Sequence, residues 1–150
     1  METNISKPDF EYPEDEHFFD FLLGENIFFS DQFDFSDPTA KRRVFDGLKK
    51  RAMETMIEQG RTHCELQLIE DCDSSKLVID HIIPLSSNEL NKHLRKMVAP
   101  VGMKVPAQSL GSNHPSNFLV ACEKCNSFKK HRFIKKDGEK WVIIRIVDFL

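Results

Sequence analysis

Apolar residues recur along the chain with a period that changes from one segment to the next, and each period predicts an element. Between residues 38 and 59 they follow helical spacing, with Asp37 placed to cap the helix and Gly60 to end it. The apolar positions of this helix are Val44, Leu48, Ala52 and Ile57. The other predicted elements are strands at 77–79 and 118–121, helices at 88–97 and from Cys125 through NSFKKHR, and a hairpin at 133–147 turning at Asp137 and Gly138.

This mixture of helices and short strands predicts an α+β domain with one compact core, since the chain has 150 residues. The N-terminus lacks the basic and then apolar pattern of a signal peptide, and no apolar run approaches the length of a membrane span. A cytoplasmic location without membrane contact is therefore expected. In that reducing compartment the four cysteines are not expected to pair as disulfides.

Charge is distributed unevenly between the first 37 residues and the rest. Residues 1–37 hold eleven Asp and Glu residues and one Lys, a net charge of −10, whereas residues 38–150 hold twenty Lys and Arg residues and thirteen acids, a net charge of +7. A basic body favours a polyanionic partner, and the acidic segment could cover that basic surface or be a solvated leader. The segment also holds eight of the thirteen phenylalanines, so it is expected to pack, on the body or on a partner protein or second copy.

The polar face of the predicted helix at 38–59 carries a group of cations. They are Lys41, Arg42, Arg43, Lys49, Lys50 and Arg51. These side chains could contact phosphates, although a solvated helix face is the commoner role of such a group.

The cysteines are spaced for metal binding. Cys122 and Cys125 form a CxxC pair, which lets two thiolates face one tetrahedral metal ion. Cys64 and Cys72 form an irregular second pair with a longer gap, although a loop of that length can still close on zinc. A structural zinc bound by all four cysteines is expected, and the alternative is a set of reduced cysteines that fill the core. Two histidines could replace Cys72 as a ligand: His63 and His114.

A group of polar residues lies at the ends of the two predicted strands. They are Asp80 and His81 after the first strand, Asn117 before the second, and Asn126 in the helix after the CxxC pair. Hard divalent cations prefer carboxylate and amide oxygens, and a histidine that is mostly neutral near pH 7 can accept a proton. Because neighbours on a strand point to opposite faces, Asp80 and His81 can serve one substrate only if the strand ends or bends there. Asn117 can also be a turn residue after SNHPS.

The order of these pieces resembles the HNH, or ββα-metal, endonuclease family. The resemblance covers roughly residues 61–133 and is carried by CEL at 64–66, IDHIIPLS at 79–86 and NFLVACEKCNSFKKH at 117–131. It implies a zinc-stabilised ββα-metal core, also called a His-Me finger, flanked by the helix at 38–59 and the C-terminal hairpin. The chain would then consist of an acidic, Phe-rich segment at 1–37 and a nuclease domain at 38–150.

The resemblance implies a metal-dependent endonuclease that hydrolyses phosphodiester bonds in DNA, with RNA as another substrate. His81 would be the general base that activates water, and Asn117 would orient it. Asp80 and Asn126 would hold a catalytic Mg²⁺ or Mn²⁺ that stabilises the phosphate, beside the structural Zn²⁺. The residues expected to contact the nucleic acid are Lys129, Lys130, Arg132 and Lys135, with His131 as a further phosphate contact or a surface residue.

The chain departs from the compact form of the family in two places. The gap from Cys64 to Cys72 is long, and the 86–116 segment is an insert that could recognise the substrate or be an elongated loop. An alternative function is a zinc-stabilised nucleic-acid-binding or interaction module without catalytic activity. By analogy with the family, a small nuclease of this kind suggests a role in prokaryotic or phage defence.

Overall fold

The computed structural model of the protein describes residues 9–24, 28–73 and 75–149. Helices and short strands are mixed along the chain, which confirms the predicted α+β class. None of the helices in these ranges is both long and apolar enough to cross a membrane. In chain order the elements are helix α1 (Pro13–Gly24), helix α2 (Pro38–Glu58), strands β1 (Leu77–His81), β2 (Ser86–Ser87), β3 (Gln108–Ser109) and β4 (Phe118–Cys122), helix α3 (Glu123–Lys129), and strands β5 (Ile134–Asp137) and β6 (Lys140–Ile143).

Strands β1 and β4 form an antiparallel pair, and helix α3 follows β4 directly. Leu77 lies opposite Cys122, and His81 lies opposite Phe118. Every residue of β4 is buried, so this strand runs through the core. Both predicted strands are confirmed, and β1 extends beyond its predicted end so that it finishes at His81.

The buried face of helix α2 agrees only in part with the one that its apolar pattern predicts, since Leu48 and Ala52 pack on the core but the two outer positions do not. Val44 and Ile57 are exposed, by 56% and 49%. The buried and half-buried positions are Pro38, Lys41, Phe45, Leu48, Ala52, Met53 and Met56. Because this stripe includes a lysine, a search for apolar residues alone misplaces it in part. The predicted cap is confirmed, since the Asp37 carboxylate accepts a hydrogen bond from the Ala40 backbone N–H at 2.8 Å.

The buried Lys41 side chain ties the start of α2 to neighbouring loops. Its ammonium group donates hydrogen bonds to the backbone carbonyls of Asp34, Leu85 and Gly111, at 2.6, 2.9 and 2.7 Å. Burial lowers the pKa of Lys41 to about 8, so at neutral pH the group still offers one N–H to each carbonyl. Gly111 leaves no room for a side chain, since a Cβ would lie 1.9 Å from the Ile83 carbonyl oxygen. The expectation that Lys41 lies on a solvated or phosphate-binding face is therefore wrong.

The insert between β1 and β4 contains less helix than predicted. In place of a helix at 88–97 there is one π-helical turn, Leu90–Leu94, whose first and last side chains are buried. Lys96 adopts a positive φ of 54°, which ends the helical path. The insert then runs as a loop to β3, which pairs with β2.

The C-terminal hairpin forms as predicted, with a tight turn between β5 and β6. Asp137 lies opposite Lys140, and Gly138 in the turn has a φ of 64°, which a glycine adopts without strain. Strand β6 ends at Ile143, and a 3-10 turn, Ile146–Phe149, replaces the predicted end of the hairpin. The hairpin therefore lies against the core and ends earlier than its apolar run suggests.

Most aromatic residues of the N-terminal segment are buried or half-buried in the fold, whereas Phe29 is 59% exposed. Phe18, Phe19 and Leu22 of α1 are each 1% exposed and belong to the same apolar cluster as Leu66 and Phe133. The rings of Phe18 and Phe133 meet edge to face, with centroids 4.9 Å apart. Of the two expected modes of packing, the structure shows packing on the body. The predicted boundary between residues 1–37 and 38–150 therefore does not coincide with a gap in the core. The buried rings of Phe18 and Phe19 are not available to a partner protein.

The acidic segment also pairs with the insert through Arg95. The Arg95 side chain is ion-paired with Asp15, and with Glu14 at 3.3 Å. Its guanidinium also lies 3.8 Å from the centroid of the Tyr12 ring. Burial raises the pKa of Asp15, and the nearby Arg95 opposes that shift. The ion pairs with Arg95 and the apolar packing therefore both hold α1 against the rest of the fold.

Candidate active site and metal centre

The four cysteines meet at one point, with their Sγ atoms all within 4.8 Å of one another. Cys72 Sγ lies 3.5 Å from Cys122 Sγ and 3.9 Å from Cys125 Sγ. Four sulfurs bound at about 2.3 Å to a tetrahedral zinc ion would be about 3.8 Å apart, so this spacing fits zinc. The cluster could hold a structural metal ion such as zinc, and it includes Cys72 despite the long gap after Cys64. Within the described ranges, neither candidate histidine belongs to it.

Backbone N–H groups and neighbouring sulfurs set the protonation of the cluster. Gln67 N–H donates to Cys64 Sγ at 3.5 Å. Cys125 N–H donates to Cys122 Sγ at 3.3 Å, so each donor lies three residues after its acceptor. Burial acts to raise the pKa of Cys122, but such N–H donors outweigh it and lower that pKa to about 6. Burial and the adjacent sulfurs raise the pKa of Cys72, because four thiolates cannot share this space without a cation.

The candidate active site lies at the end of β1, opposite its cysteine end. Asp80 and His81 are the last residues of this strand, and both line a cavity of about 400 Å³. Asn126 of α3 lines the same cavity. The cavity wall also includes basic residues: Arg42, Lys129, Lys130 and His131. Because β1 ends here, the side chains of Asp80 and His81 both reach the cavity, although neighbours within a strand point to opposite faces.

The His81 imidazole is held by two rings and one amide. Its centroid lies 4.6 Å from that of Phe45 and 5.3 Å from that of Phe118. Its Nε2 lies 3.0 Å from Asn113 Oδ1, and Asn113 Nδ2 donates to the Lys41 carbonyl at 2.8 Å. This orientation of the amide makes Nε2 the protonated nitrogen and leaves Nδ1 to accept a proton. Burial lowers the pKa of His81 to about 4, so the imidazole is neutral at pH 7.

Asn117 lies fully buried beneath the loop that follows His81. Its side-chain amide accepts a hydrogen bond from Ile83 N–H at 2.8 Å and donates one to the Ile83 carbonyl at 2.9 Å. Its own carbonyl accepts a hydrogen bond from Ile82 N–H at 2.8 Å. Asn117 therefore fixes the backbone after His81, whereas the direct contact on the imidazole comes from Asn113. The sequence gives no signal for Asn113, because only the fold brings it to His81.

Lys129, a predicted nucleic-acid contact, is fully buried at 0% exposure. Its ammonium lies 3.4 Å from Asp80 Oδ2 and donates a hydrogen bond to the His81 carbonyl at 2.9 Å. Burial raises the pKa of Asp80 and lowers that of Lys129, and the charge of each partner opposes these shifts. The prediction for Lys129 is therefore wrong, because the side chain holds the end of β1 from inside. Its position four residues after Cys125 places both on one helix face, a signal for burial.

The other predicted nucleic-acid contacts lie at or near the surface. Lys130 is exposed at the cavity and has a positive φ of 54°. Arg132 is half-buried, with its guanidinium 4.7 Å from the centroid of the Phe128 ring. Lys135 is also half-buried, with Nζ 5.8 Å from the centroid of the Phe21 ring. Of the three cations, Lys130 lines the cavity.

Asp80 and Asn126 supply the donor atoms that a hard cation needs. Asp80 Oδ2 is buried and accepts no hydrogen bond from the described residues, and its one close cationic neighbour among them is the Lys129 ammonium at 3.4 Å, so it retains lone pairs for a metal ion. Asn126 is half-buried on the same cavity and can offer its amide oxygen. This donor set fits Mg²⁺ or Mn²⁺, with the remaining positions left to water and phosphate. The ammonium of Lys129 would share the Asp80 carboxylate with that cation.

Comparison of the chain with protein-family models, curated proteins and solved structures finds no match. Support for a function therefore comes from the geometry of the two sites and from the motif resemblance in the sequence. The cavity and the CxxC pair lie at opposite ends of one strand pair.

Replacing Lys129 with Met should lower the free energy of unfolding by about 3–5 kcal/mol, because the buried Asp80 carboxylate would lose its partner. Urea denaturation measures this loss. Lys130→Met removes the same charge from the next, exposed position and should change the stability by less than about 0.5 kcal/mol. Equal stability of the two variants would contradict the buried pair.

Proposed function

We propose that the protein is a metal-dependent endonuclease that hydrolyses phosphodiester bonds, with DNA as its substrate. The observation that carries this proposal is the presence of Asp80, His81 and Asn126 on one cavity at the end of β1. A carboxylate, a neutral imidazole and an amide oxygen are the groups that metal-assisted hydrolysis needs. The exposed Lys130 at the same cavity suits an anionic substrate.

The order of the elements supports the same proposal. Two antiparallel strands followed at once by a helix, as in β1, β4 and α3, is the order of the ββα-metal core that the sequence resembles. The CxxC pair spans the junction of β4 and α3, at Cys122 and Cys125. A zinc ion at the cysteine cluster would fix this junction and hence the position of Asn126 on the cavity.

In the proposed reaction His81 accepts a proton at Nδ1 from the water that attacks phosphorus, while the bond from phosphorus to the 3′ oxygen breaks. The 3′ oxygen leaves with the electron pair of that bond and takes up a proton from solvent water. Asp80 and Asn126 would hold Mg²⁺ or Mn²⁺, which when bound offsets negative charge on the phosphate. The pKa of His81, about 4 in the substrate-free protein, ensures a neutral acceptor at pH 7. An anionic phosphate beside the imidazole would raise that pKa towards the range of an effective base.

A second candidate function is a zinc-stabilised nucleic-acid-binding or interaction module without catalytic activity. The buried ion pair between Lys129 and Asp80 favours it, because a carboxylate that already has a cationic partner does not require a metal ion. The aromatic residues of α1 offer it little support as a docking surface, since Phe18 and Phe19 are internal.

Nicking of supercoiled plasmid distinguishes the two functions. The endonuclease is expected to convert the plasmid to open circles when Mg²⁺ or Mn²⁺ is present and to stop when the divalent cation is withheld. The binding module would retard the plasmid in a gel and leave its topology unchanged. Wild-type protein that binds the plasmid but never nicks it, across a panel of divalent cations, would refute the endonuclease.

A further inference from the structure

A second hollow adjoins the candidate active site and shares a wall with it. This hollow, of about 480 Å³, lies between the start of α2 and the loop that follows β1. Arg42, Leu85 and Ser86 line both spaces. We call this hollow the α2 groove, and its walls include Pro38, Thr39, Arg42, Arg43, Leu85 and Ser86. The active-site cavity therefore continues along the first turns of α2.

The two walls of the α2 groove are fixed to each other by a buried side chain. The Lys41 ammonium reaches across from α2 to the Leu85 carbonyl, at 2.9 Å. Arg42 and Arg43 follow Lys41 directly, so they start from a part of the helix that is held against the opposite wall. A ligand in the groove would therefore meet a preorganised surface.

Arg42 and Arg43 bring positive charge to the groove. Both are exposed, and neither takes part in an ion pair within residues 9–24, 28–73 and 75–149. One acid, Asp46, also lines the groove, and its carboxylate is paired with Lys49 at 3.5 Å. Two guanidinium groups without acidic partners are suited to bidentate binding of phosphate oxygens.

Arg42 also connects the groove with the general base of the proposed reaction. Its Cζ lies 5.7 Å from the centroid of the Phe45 ring, and that ring contacts the His81 imidazole. The α2 helix of 21 residues begins at the same groove, so the positive end of its dipole acts in the same direction. Because this wall is positively charged and continues into the cavity, the ligand that suits it is a chain of phosphates.

We propose that the α2 groove binds the nucleic-acid backbone next to the phosphate that is cleaved, with Arg42 and Arg43 as positioning residues. The catalytic meaning of this proposal rests on the proposed function, but the binding itself does not. A strand held along α2 would enter the cavity with a phosphate presented to His81, and the rate would gain from this orientation.

Fluorescence anisotropy with a labelled 20-nucleotide DNA duplex tests the groove without cleavage, using His81→Ala protein and no divalent cation. Arg42→Gln combined with Arg43→Gln is expected to raise Kd by about tenfold or more and to flatten the slope of log K against log salt by about 2. The matched control is Lys50→Gln combined with Arg51→Gln, which removes the same charge from exposed positions farther along α2. This control should change Kd by less than about threefold.

Equal Kd values and equal salt slopes for the two double variants would overturn the proposal that the α2 groove binds the nucleic-acid backbone. Labelled single-stranded DNA and RNA of the same length show which backbone the groove accepts, and a defect limited to the Arg42 and Arg43 variant in any of them supports it. If the wild type nicks no plasmid but the Arg42 and Arg43 variant loses binding, the groove is a binding site and the endonuclease proposal is wrong. If the wild type nicks and this variant binds like its control, only the groove proposal is wrong.

Discussion

The His81→Ala variant is expected to nick supercoiled plasmid about 10²–10⁴-fold more slowly than the wild type, the range that a lost general base typically costs. In the proposed reaction the imidazole on the cavity is the proton acceptor, and because its Nε2 is hydrogen-bonded to Asn113, Nδ1 is the nitrogen that would take the proton. The initial rate of open-circle formation in excess Mg²⁺ measures the effect.

Packing has to be separated from chemistry in this experiment, because the imidazole lies between Phe45 and Phe118. His81→Gln fills most of the same space without a basic nitrogen, so it should be as slow as His81→Ala. The control is His93→Ala, since His93 pairs with Glu89 at 3.4 Å and is 47% exposed. It should nick at the wild-type rate within about twofold, as expected of an exposed substitution. A His81→Gln protein as fast as the wild type would contradict the role of the imidazole.

The pH dependence of kcat/KM tests the protonation state of His81 in the proposed reaction. The neutral imidazole is the reactive form and its pKa is about 4, so activity should stay level as pH falls from 8 to about 5 and be lost through 4. Burial raises the pKa of Asp80, so this carboxyl takes up a proton at a higher pH than a solvated one and its titration has to be separated from that of His81. Comparison with residual activity of His81→Gln therefore assigns the acid limb. A limb centred near the pKa of about 6.5 of a solvated histidine would contradict the buried setting.

Removal of zinc is expected to unfold the protein. The free energy of zinc binding to structural sites, about 10–16 kcal/mol, is as large as the total stability of a typical domain, about 5–15 kcal/mol. Metal analysis of protein purified without added metal should find one zinc ion per chain, bound at the cysteine cluster. A strong zinc chelator should abolish the far-ultraviolet circular dichroism signal of the helices, and added zinc should restore it.

Cys72→Ser is the most informative variant of the cluster, because its spacing from Cys64 is the irregular one. It should lose zinc as completely as Cys122→Ser does, since the two sulfurs lie 3.5 Å apart. Ser127→Ala, at an exposed position of α3, should retain zinc. If the cysteines were reduced core residues instead, no zinc would be found and each serine variant would lose only about 1–3 kcal/mol.

Local signals were sufficient to predict much of the fold and of the site. The cap at Asp37, the turn at Gly138 and the strand that ends in Asp80 and His81 all depend on residues close in sequence. The cysteine cluster was also predictable, because a tetrahedral ion needs two ligands beyond the CxxC pair and the chain has two other cysteines.

The features that the sequence did not predict depend on which polar side chains are buried in the fold. Lys41 and Lys129 are the clearest cases, because lysines in a basic segment are expected to be solvated. Both are buried in the structure because carbonyl or carboxylate oxygens surround their ammonium groups. Those oxygens come from distant parts of the chain, so periodicity cannot reveal them. Asn113 at His81 was missed for the same reason.

The edge-to-face contact between Phe18 and Phe133 joins the first helix to the start of the last hairpin. During synthesis, α1 therefore leaves the ribosome long before the residues that cover its aromatic face. The core can close only when Ile134, Ile144 and Ile146 have also emerged, since they belong to the same cluster. Ile82 and Ile83, which directly follow His81, belong to that cluster as well, so the cavity at the end of β1 is expected to form only after the C-terminal hairpin has been synthesised.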